Sequence, residues 1–437
     1  MHATSNTLFT HHHSTRPNMH NVCCLILGGG QGSRLFPLTV SRCKPAICFG
    51  GRYRLIDVPL SNSINSHIQK IFVFTQFLAS SLHRHIVQTY RTSTFSSGFI
   101  EVLGAEQKPG RNEWYQGTAD AIRQNIEYLA ETAADYFLVL SGDQLYNMNF
   151  EKMVHYAMQH NSDVVVAALP VIEKDAKRMG IMKVNAHNEV IDFVEKPEDP
   201  GLLDQFRISQ TTSDALTFEK PFLASMGIYL FKRDILFQLL KNDPREDFGK
   251  HLIPTKVKTG GVSAFIYNGY WEDIGTIESF YKANIALTTK EPVFDCYDEA
   301  NPIFTHRHHL PGPKLYNTEV NHSILCEGSI IEADEITGSI LGQRTVIKKG
   351  SIIRDCYVMG NDFYQTPVAD TLTADTPCID ENCIIRSAII DKNVSIGKGV
   401  QLINHNKLQH YDGDNIHIRD GIIVVPRGAR IPSGFIL

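Results

Sequence analysis

The sequence predicts a two-domain protein, an α/β domain with a largely parallel sheet wound on both faces, followed by a parallel β-helix. Three observations carry this. From Val22 to about Thr289, short apolar strands alternate with helical stretches. Four prolines, Pro292, Pro302, Pro311 and Pro313, then break the pattern up to Lys314. Beyond them apolar residues recur every six positions, whereas strands of a β-sandwich would alternate with period two. At 437 residues the chain is also too long for one ordinary core. The expected division is a disordered polar tail over 1–20, an α/β domain over 21–290, a linker over 291–315 and a β-helix over 316–437.

Taken in order, Val22–Leu27 reads as the first buried strand, and Ile71–Thr75, Phe137–Leu140 and Val164–Ala168 as further ones. Helical patterns over Ala119–Glu131 and Phe150–His160 lie between them. Ile181–Val184 and Val190–Val194, joined by NAHN, predict a hairpin added to the sheet. In the second half the six-residue series are Ile340, Val346, Ile352, Val358; Ile384, Ile390, Ile396, Leu402; and Val425, Ile431, Leu437, with Gly328, Gly350, Gly397 and Gly399 nearby. Each coil would hold three short strands with one aliphatic residue per strand pointing inward. The stretch Asn361–Pro377 interrupts the period and predicts a loop thrown out from the coil.

Composition narrows the function classes. Apolar content of 43% and charged content of 20% are those of a globular protein. A net charge of −5 argues against nucleic acid as a partner, and no apolar run reaches the length needed to cross a bilayer. The nine cysteines form no CxxC pair and no Cys/His zinc spacing, which fits a reduced cytoplasm. The first twenty residues are rich in His, Ser and Thr and hold one Arg and no acidic residue, as transit peptides do. They are short and lack an amphipathic pattern, so a bacterial cytoplasm is expected before a plastid. His11–His13 in that tail could chelate metal, although such a run is more often inert.

The chemistry begins at LILGGGQGSRLFPLTVSRCKP, Leu25–Pro45. Gly28, Gly29, Gly30 and Gly32 follow an apolar strand, and Arg34 and Lys44 come after them. Glycines there let backbone N–H groups approach an anion, and the two cations would neutralise phosphate charge. The spacing is neither that of a P-loop nor that of the dinucleotide fingerprint. A plain turn would explain the glycines but not Arg34 and Lys44.

Asp143, in SGDQ, follows the strand Phe137–Leu140, at the carboxyl end where wound sheets bind ligands. Asp273, in GYWEDIG, follows the strand Val262–Tyr267 and precedes a helix starting near Thr276. Two such carboxylates suit Mg2+ on nucleotide phosphates. Gln116 and Gly117, in WYQGTADA at the start of a helix, would meet a base edge, Gln as donor and acceptor and Gly by close approach. Glu195 and Lys196, in FVEKP, offer an acceptor for sugar hydroxyls and a point charge for phosphate, although by themselves they read first as a solvated surface pair. Ser225 in ASMGIY, and Asp247 and Phe248 in DFGKHLIP, are weak signals alone. Arg42 and Arg54 flank the glycine loop while Lys392 and Arg427 lie on the coil, which predicts an anion-binding crevice between the domains.

The glycine loop resembles the signature of sugar-1-phosphate nucleotidyltransferases. With VPLSNSINS, WYQGTADA, SGDQLY, FVEKP, ASMGIY and YWEDIGTIESFYKAN, the likeness to the ADP-glucose pyrophosphorylase family runs from about Asn21 to Leu437. LPGPK, AIIDKN and RIPSG look closest to cyanobacterial and plant forms. The resemblance implies a Rossmann-like nucleotidyltransferase domain, a left-handed β-helix for regulation and assembly, and a homotetramer. It implies ATP and glucose 1-phosphate as substrates, Mg2+ held by Asp143 and Asp273, and ADP-glucose for glycogen or starch synthesis as product. Arg34, Lys44 and the loop glycines would hold ATP phosphates, and Gln116 with Gly117 would read adenine. Tyr115, Gly180, Glu195, Lys196, Ser225, Asp247 and Phe248 would shape the sugar-phosphate site. Non-catalytic relatives lack the loop Arg and Lys, and both are present here. Lys392 matches a site for a phosphorylated glycolytic activator, 3-phosphoglycerate. Arg427 stands where a second lysine is usual, and Ser41 where enteric relatives have a lysine tied to fructose 1,6-bisphosphate. Two alternatives remain: a pyrophosphorylase for another nucleotide-sugar, or a hexapeptide acyltransferase using His405, His410 or His417 as base.

Overall fold

A computed structural model of the chain describes residues 17–91, 97–106, 113–207, 220–364 and 376–437. Most of the expected tail, with His11–His13, and most of the interruption over Asn361–Pro377 lie outside the described residues. The first domain is built on a nine-stranded sheet. Strands β1 (Val22–Leu27), β2 (Lys70–Thr75), β3 (Phe99–Gly104) and β4 (Tyr136–Ser141) run parallel in the order β4-β1-β2-β3. Along β1, Cys23 and Leu25 enter the core on one face, and Val22, Cys24 and Ile26 the core on the other. Both faces are covered, so the strand is apolar without alternation.

The other half of the sheet departs from the expected parallel order. After the short β5 (Gln144–Tyr146) come β6 (Val164–Val171), the hairpin β7 (Gly180–Val184) and β8 (Val190–Glu195), and the long β9 (Phe222–Lys232). β9 runs antiparallel to β4, β6 and β7, so the sheet is mixed. β10 (Val262–Ile266) is parallel to β6, and β11 (Trp271–Asp273) pairs with β5. The helical stretch expected over Ala119–Glu131 is two helices, Thr118–Gln124 and Ile126–Glu131. They part at the buried Asn125, whose side-chain amide donates to the Ala121 carbonyl and to the Tyr115 hydroxyl.

From Lys314 onward the chain winds as a coil with three faces of short parallel strands. Lys314 lies beside Ile330 and Ile330 beside Val346, so one turn of the coil takes sixteen residues there. The six-residue series holds, but its inward register is corrected in the first turns. Leu341, Ile347, Ile353 and Ile385 fill the coil, while Val346, Ile352 and Ile384 are half-buried and Ile340 faces the first domain. Each of these sites is an aliphatic pair, and hydropathy cannot say which member turns in. Val358, Ile390, Ile396, Leu402, Val425 and Ile431 point inward as expected, and Leu437 packs against them. One addition was not expected from sequence. His410–Asp412 and His417–Arg419 form an antiparallel hairpin beside Ile422–Val425.

The domains share a core in which Leu35, Leu38, Ile47, Phe49 and Phe280 meet Ile340, Tyr357, Met359, Ile389 and Val424. Gly51, at φ 81°, passes so close that a Cβ there would lie 2.6 Å from the Cys326 sulfur. Inside this contact Arg42 and Asp391 form an ion pair, their side chains 2% and 1% exposed. Removing one partner of a buried pair strands a charge and typically costs about 3–5 kcal/mol, whereas replacing both by apolar groups is often near neutral. Asp391→Ala is therefore expected to lower the urea midpoint clearly, and Arg42→Met with Asp391→Leu to recover most of the loss. An unchanged midpoint in Asp391→Ala would show that the pair does not hold the domains.

Candidate active site

A cleft of about 740 Å3 opens along the carboxyl ends of the parallel strands. Its floor begins at the glycine loop. The Gly28 N–H donates to the Phe74 carbonyl at 2.8 Å, which pins the loop to β2. Gly32 has φ 63°, a left-handed conformation that disfavours side chains, and a Cβ there would crowd Lys44 and Thr39 at 3.1 Å. A Cβ at Gly30 would meet nothing within 4 Å, so that glycine lies open to the cleft. Gly29, Gly30 and Arg34 line the cavity, whereas Gly28, Gly32 and Lys44 stand behind it. Arg34 is exposed, with its guanidinium beside Gly275.

Lys44 is buried, and its Nζ lies 2.6 Å from Asp143 and 3.3 Å from Asp273. Burial works against the ammonium, but the two carboxylates outweigh it and hold its pKa above the ordinary lysine value. Burial likewise opposes the Asp143 carboxylate, and Lys44 with the Ser141 hydroxyl outweighs it, so that carboxyl titrates below its usual range. Asp273 follows β10 and precedes a helix capped by Thr276 as the sequence implied, and it ends a further short strand, β11, that lies between them. In the pairing of β11 with β5, Asp273 lies opposite Gln144, the neighbour of Asp143. Gln144 donates to the Met226 carbonyl and accepts from the Trp271 indole, which fixes that pairing.

The two carboxylates thus converge on one point that a cation already fills. Their donor set fits Mg2+, which takes one or two carboxylates and completes its shell with water and phosphate oxygens. Among the described residues no group of three or more His, Cys, Asp or Glu stands together as a closed metal cage.

The opposite wall is built from β7, β8, β9 and the turn at Asp247. Glu195 lies against Gly180, where a Cβ would meet its Oε2 at 2.7 Å and the Phe193 ring at 2.5 Å. Burial pushes the Glu195 carboxyl up, Lys196 3.5 Å away pulls it down, and Asp247 adds to the rise, leaving it above its ordinary value. Lys196 has φ 48°, unusual for a side-chain-bearing residue, and its N–H donates to the Met179 carbonyl at 3.0 Å. Such a conformation costs about 1–3 kcal/mol and is typical of sites where the chain is over-determined by its surroundings. The Asp247 carboxylate accepts from the Lys250 N–H at 2.9 Å and the Thr118 hydroxyl at 3.3 Å. Ser225 accepts from the Gly227 N–H at 3.2 Å where β9 bulges.

Several residues stand differently from their sequence expectation. Gly117 makes a close approach, but to protein: a Cβ there would fall 2.4 Å from the Glu246 carbonyl. The Tyr115 hydroxyl is spent on the Gly104 carbonyl at 2.9 Å. Phe248 is a buried residue packed on Phe231, with ring centroids 5.4 Å apart, and shows the cleft only part of its ring. Gln116 is exposed at the cleft and gives its amide to the Trp114 carbonyl at 2.7 Å, and its oxygen has no partner among the described residues.

Arg42 is enclosed at the domain contact, and Arg54 donates to the Ala46 and Ser81 carbonyls. The Arg42 guanidinium is therefore shut off from solvent, while Arg54 is half-exposed and turned to backbone carbonyls. Lys392 and Arg427 do converge, on Asp362 at 2.8 and 2.7 Å, and hold its carboxyl well below the usual range although burial opposes this. His405 and His410 are exposed, while His417 pairs with Asp412. Two cleft residues were passed over in the sequence. Glu272 sat beside Asp273 in a quoted motif, and burial followed by Asp273 raises its carboxyl. Thr118 ties Asp247 and Phe248 to the helix, accepting from the Phe248 N–H at 3.1 Å.

Two family models match the chain. One is the nucleotidyl transferase family, over residues 23–290, and the other the GLGC left-handed parallel β-helix domain, over residues 308–436. The chain belongs to the nucleotidyl transferase family and has the two-domain architecture of ADP-glucose pyrophosphorylase.

Proposed function

We propose that the protein transfers the adenylyl group of ATP to α-glucose 1-phosphate, giving ADP-glucose and pyrophosphate. The observation that carries this is the two-sided cleft. The glycine loop, Arg34 and the Lys44–Asp143–Asp273 group form one side, and Glu195, Lys196, Ser225 and Asp247 the other. The first side suits a triphosphate with its cation, the second a hydroxylated phosphate ester. The GLGC-type coil docked behind the loop supports ADP-glucose as product over other nucleotide-sugars.

The attacking group is an oxygen of the sugar phosphate, whose second pKa lies near ~6, so it is ionised at neutral pH and needs no general base. It bonds to the α-phosphorus of ATP as the bond to the β-phosphate oxygen breaks and pyrophosphate leaves. Catalysis then rests on alignment and on neutralising charge. Mg2+, typical of nucleotidyltransferases, would be held by Asp143 and Asp273 and would screen the phosphate charge. Lys44 and Arg34 balance the triphosphate, Glu195 accepts from sugar hydroxyls, and Lys196 holds the sugar phosphate. Regulation by a phosphorylated anion is proposed at Lys392 and Arg427, the pair whose charge Asp362 now meets.

Pyrophosphate release with glucose 1-phosphate and each of ATP, UTP, dTTP and GTP tests the reading. ATP is expected to be preferred, and preference for another nucleotide would overturn it. Lys196→Ala should raise the KM for glucose 1-phosphate roughly 10–100-fold, the worth of one charge-assisted contact, and leave the KM for ATP nearly unchanged. Equal effects on both substrates would remove Lys196 from the sugar side.

A further inference from the structure

We propose that the hairpin of the coil domain positions the nucleotide loop of the first domain by gripping Phe36, with His417 and Arg419 as positioning residues. Phe36 comes two residues after Arg34 and remains 39% exposed despite being a large aromatic. The His417 ring stands edge-on to it, with centroids 5.0 Å apart and planes at 77°. The Arg419 guanidinium lies over the same ring, 5.3 Å from its centroid. Edge-to-face rings and guanidinium over ring are both favourable arrangements of an aromatic quadrupole.

The hairpin is braced for this contact. Asp412 pairs with His417 Nδ1 at 2.8 Å and with Arg419 Nη2 at 2.5 Å. Arg419 Nη1 donates to the carbonyls of Tyr411 and Ile418 at 3.0 and 2.9 Å. His417 is buried and Ile418 belongs to the coil core, so the inner strand is anchored to the coil. The outer strand, His410–Asp412, is exposed and adds nothing to that core. Its carboxylate instead orients the two side chains that meet Phe36.

On the loop side, Leu35 and Leu38 are buried in the core shared by the domains, so Phe36 is held between two fixed points. Ser33–Leu35 is a single helical turn, and its rotation sets where Arg34 points. Fixing Phe36 from the coil therefore fixes Arg34 beside Gly275 at the cleft. The consequence for ATP rests on the proposed adenylyl transfer; the grip itself does not.

The test uses the full chain and two readouts. In the absence of nucleotide, amides of Ser33–Thr39 are followed by hydrogen exchange in wild type, His417→Ala, His417→Phe and Arg419→Ala. Faster exchange is expected in both alanine variants and wild-type exchange in His417→Phe, because a phenyl ring preserves the edge contact. In steady-state kinetics the alanine variants should raise the KM for ATP about three- to tenfold, leave the KM for glucose 1-phosphate within about twofold, and His417→Phe should restore the first. Unchanged exchange, a joint rise of both KM values, or His417→Phe as impaired as His417→Ala would overturn the proposal. If His417→Ala does not fold, Arg419→Ala, half-buried on a surface hairpin, decides by the same criteria. Faster exchange in the variants of a wild type that does not use ATP would support the grip while defeating the functional reading.

Discussion

The structure of the cleft depends on one ammonium group between two carboxylates. Lys44 comes from the end of the nucleotide loop, Asp143 from the end of β4 and Asp273 from the end of β11. Without Lys44, two carboxylates would face each other in a partly buried site and repel. With it, three segments far apart in sequence are drawn to one point where phosphates would lie. An ammonium at the focus of two carboxylates occupies the place a divalent cation would take, and a cation displacing it would free Lys44 for phosphates arriving with it.

The loop that carries Lys44 is held from two directions. Towards its own domain it is tied by the Gly28 hydrogen bond to β2. Towards the coil it is tied by Leu35 and Leu38 in the shared core and by Arg42 on Asp391. Asp391 adjoins Lys392, which meets Asp362 with Arg427. A charge entering near Lys392 would therefore act one residue away from the ion pair that holds the loop. Such an arrangement would link a distant surface to the cleft through a buried charge, which is costly to leave unpaired.

The strands of the first domain were legible because strands buried on both faces are continuous apolar runs, and the coil was legible because its period is six. Strand direction was not legible: nothing in the composition of Phe222–Lys232 marks it as antiparallel. Nor was the register of Ile340–Leu341 or Ile384–Ile385, where both neighbours are aliphatic. Arg34, Asp143 and Asp273 were legible because charged groups at strand ends and glycine turns are seldom needed for packing, whereas Glu195 and Lys196 read by themselves as a solvated surface pair and were marked only by the family resemblance. Arg42 and Arg54 misled for the complementary reason. A sequence gives a charge but not its partner, and theirs are a buried carboxylate and backbone carbonyls. Gly117 was rightly read as a close approach, but the group approached, the Glu246 carbonyl, lies over a hundred residues on and carries no signal.

Whether a divalent cation displaces Lys44 is open to direct measurement. Calorimetric titration of Mg2+ into the nucleotide-free protein compares wild type with Lys44→Gln, which keeps the length of the side chain nearly the same and removes its charge. If the ammonium occupies the cation's place, the variant binds Mg2+ more tightly, on the order of tenfold or ~1.4 kcal/mol, and Asp143→Asn in the same background abolishes the gain. Equal or weaker Mg2+ binding by Lys44→Gln would contradict the shared site.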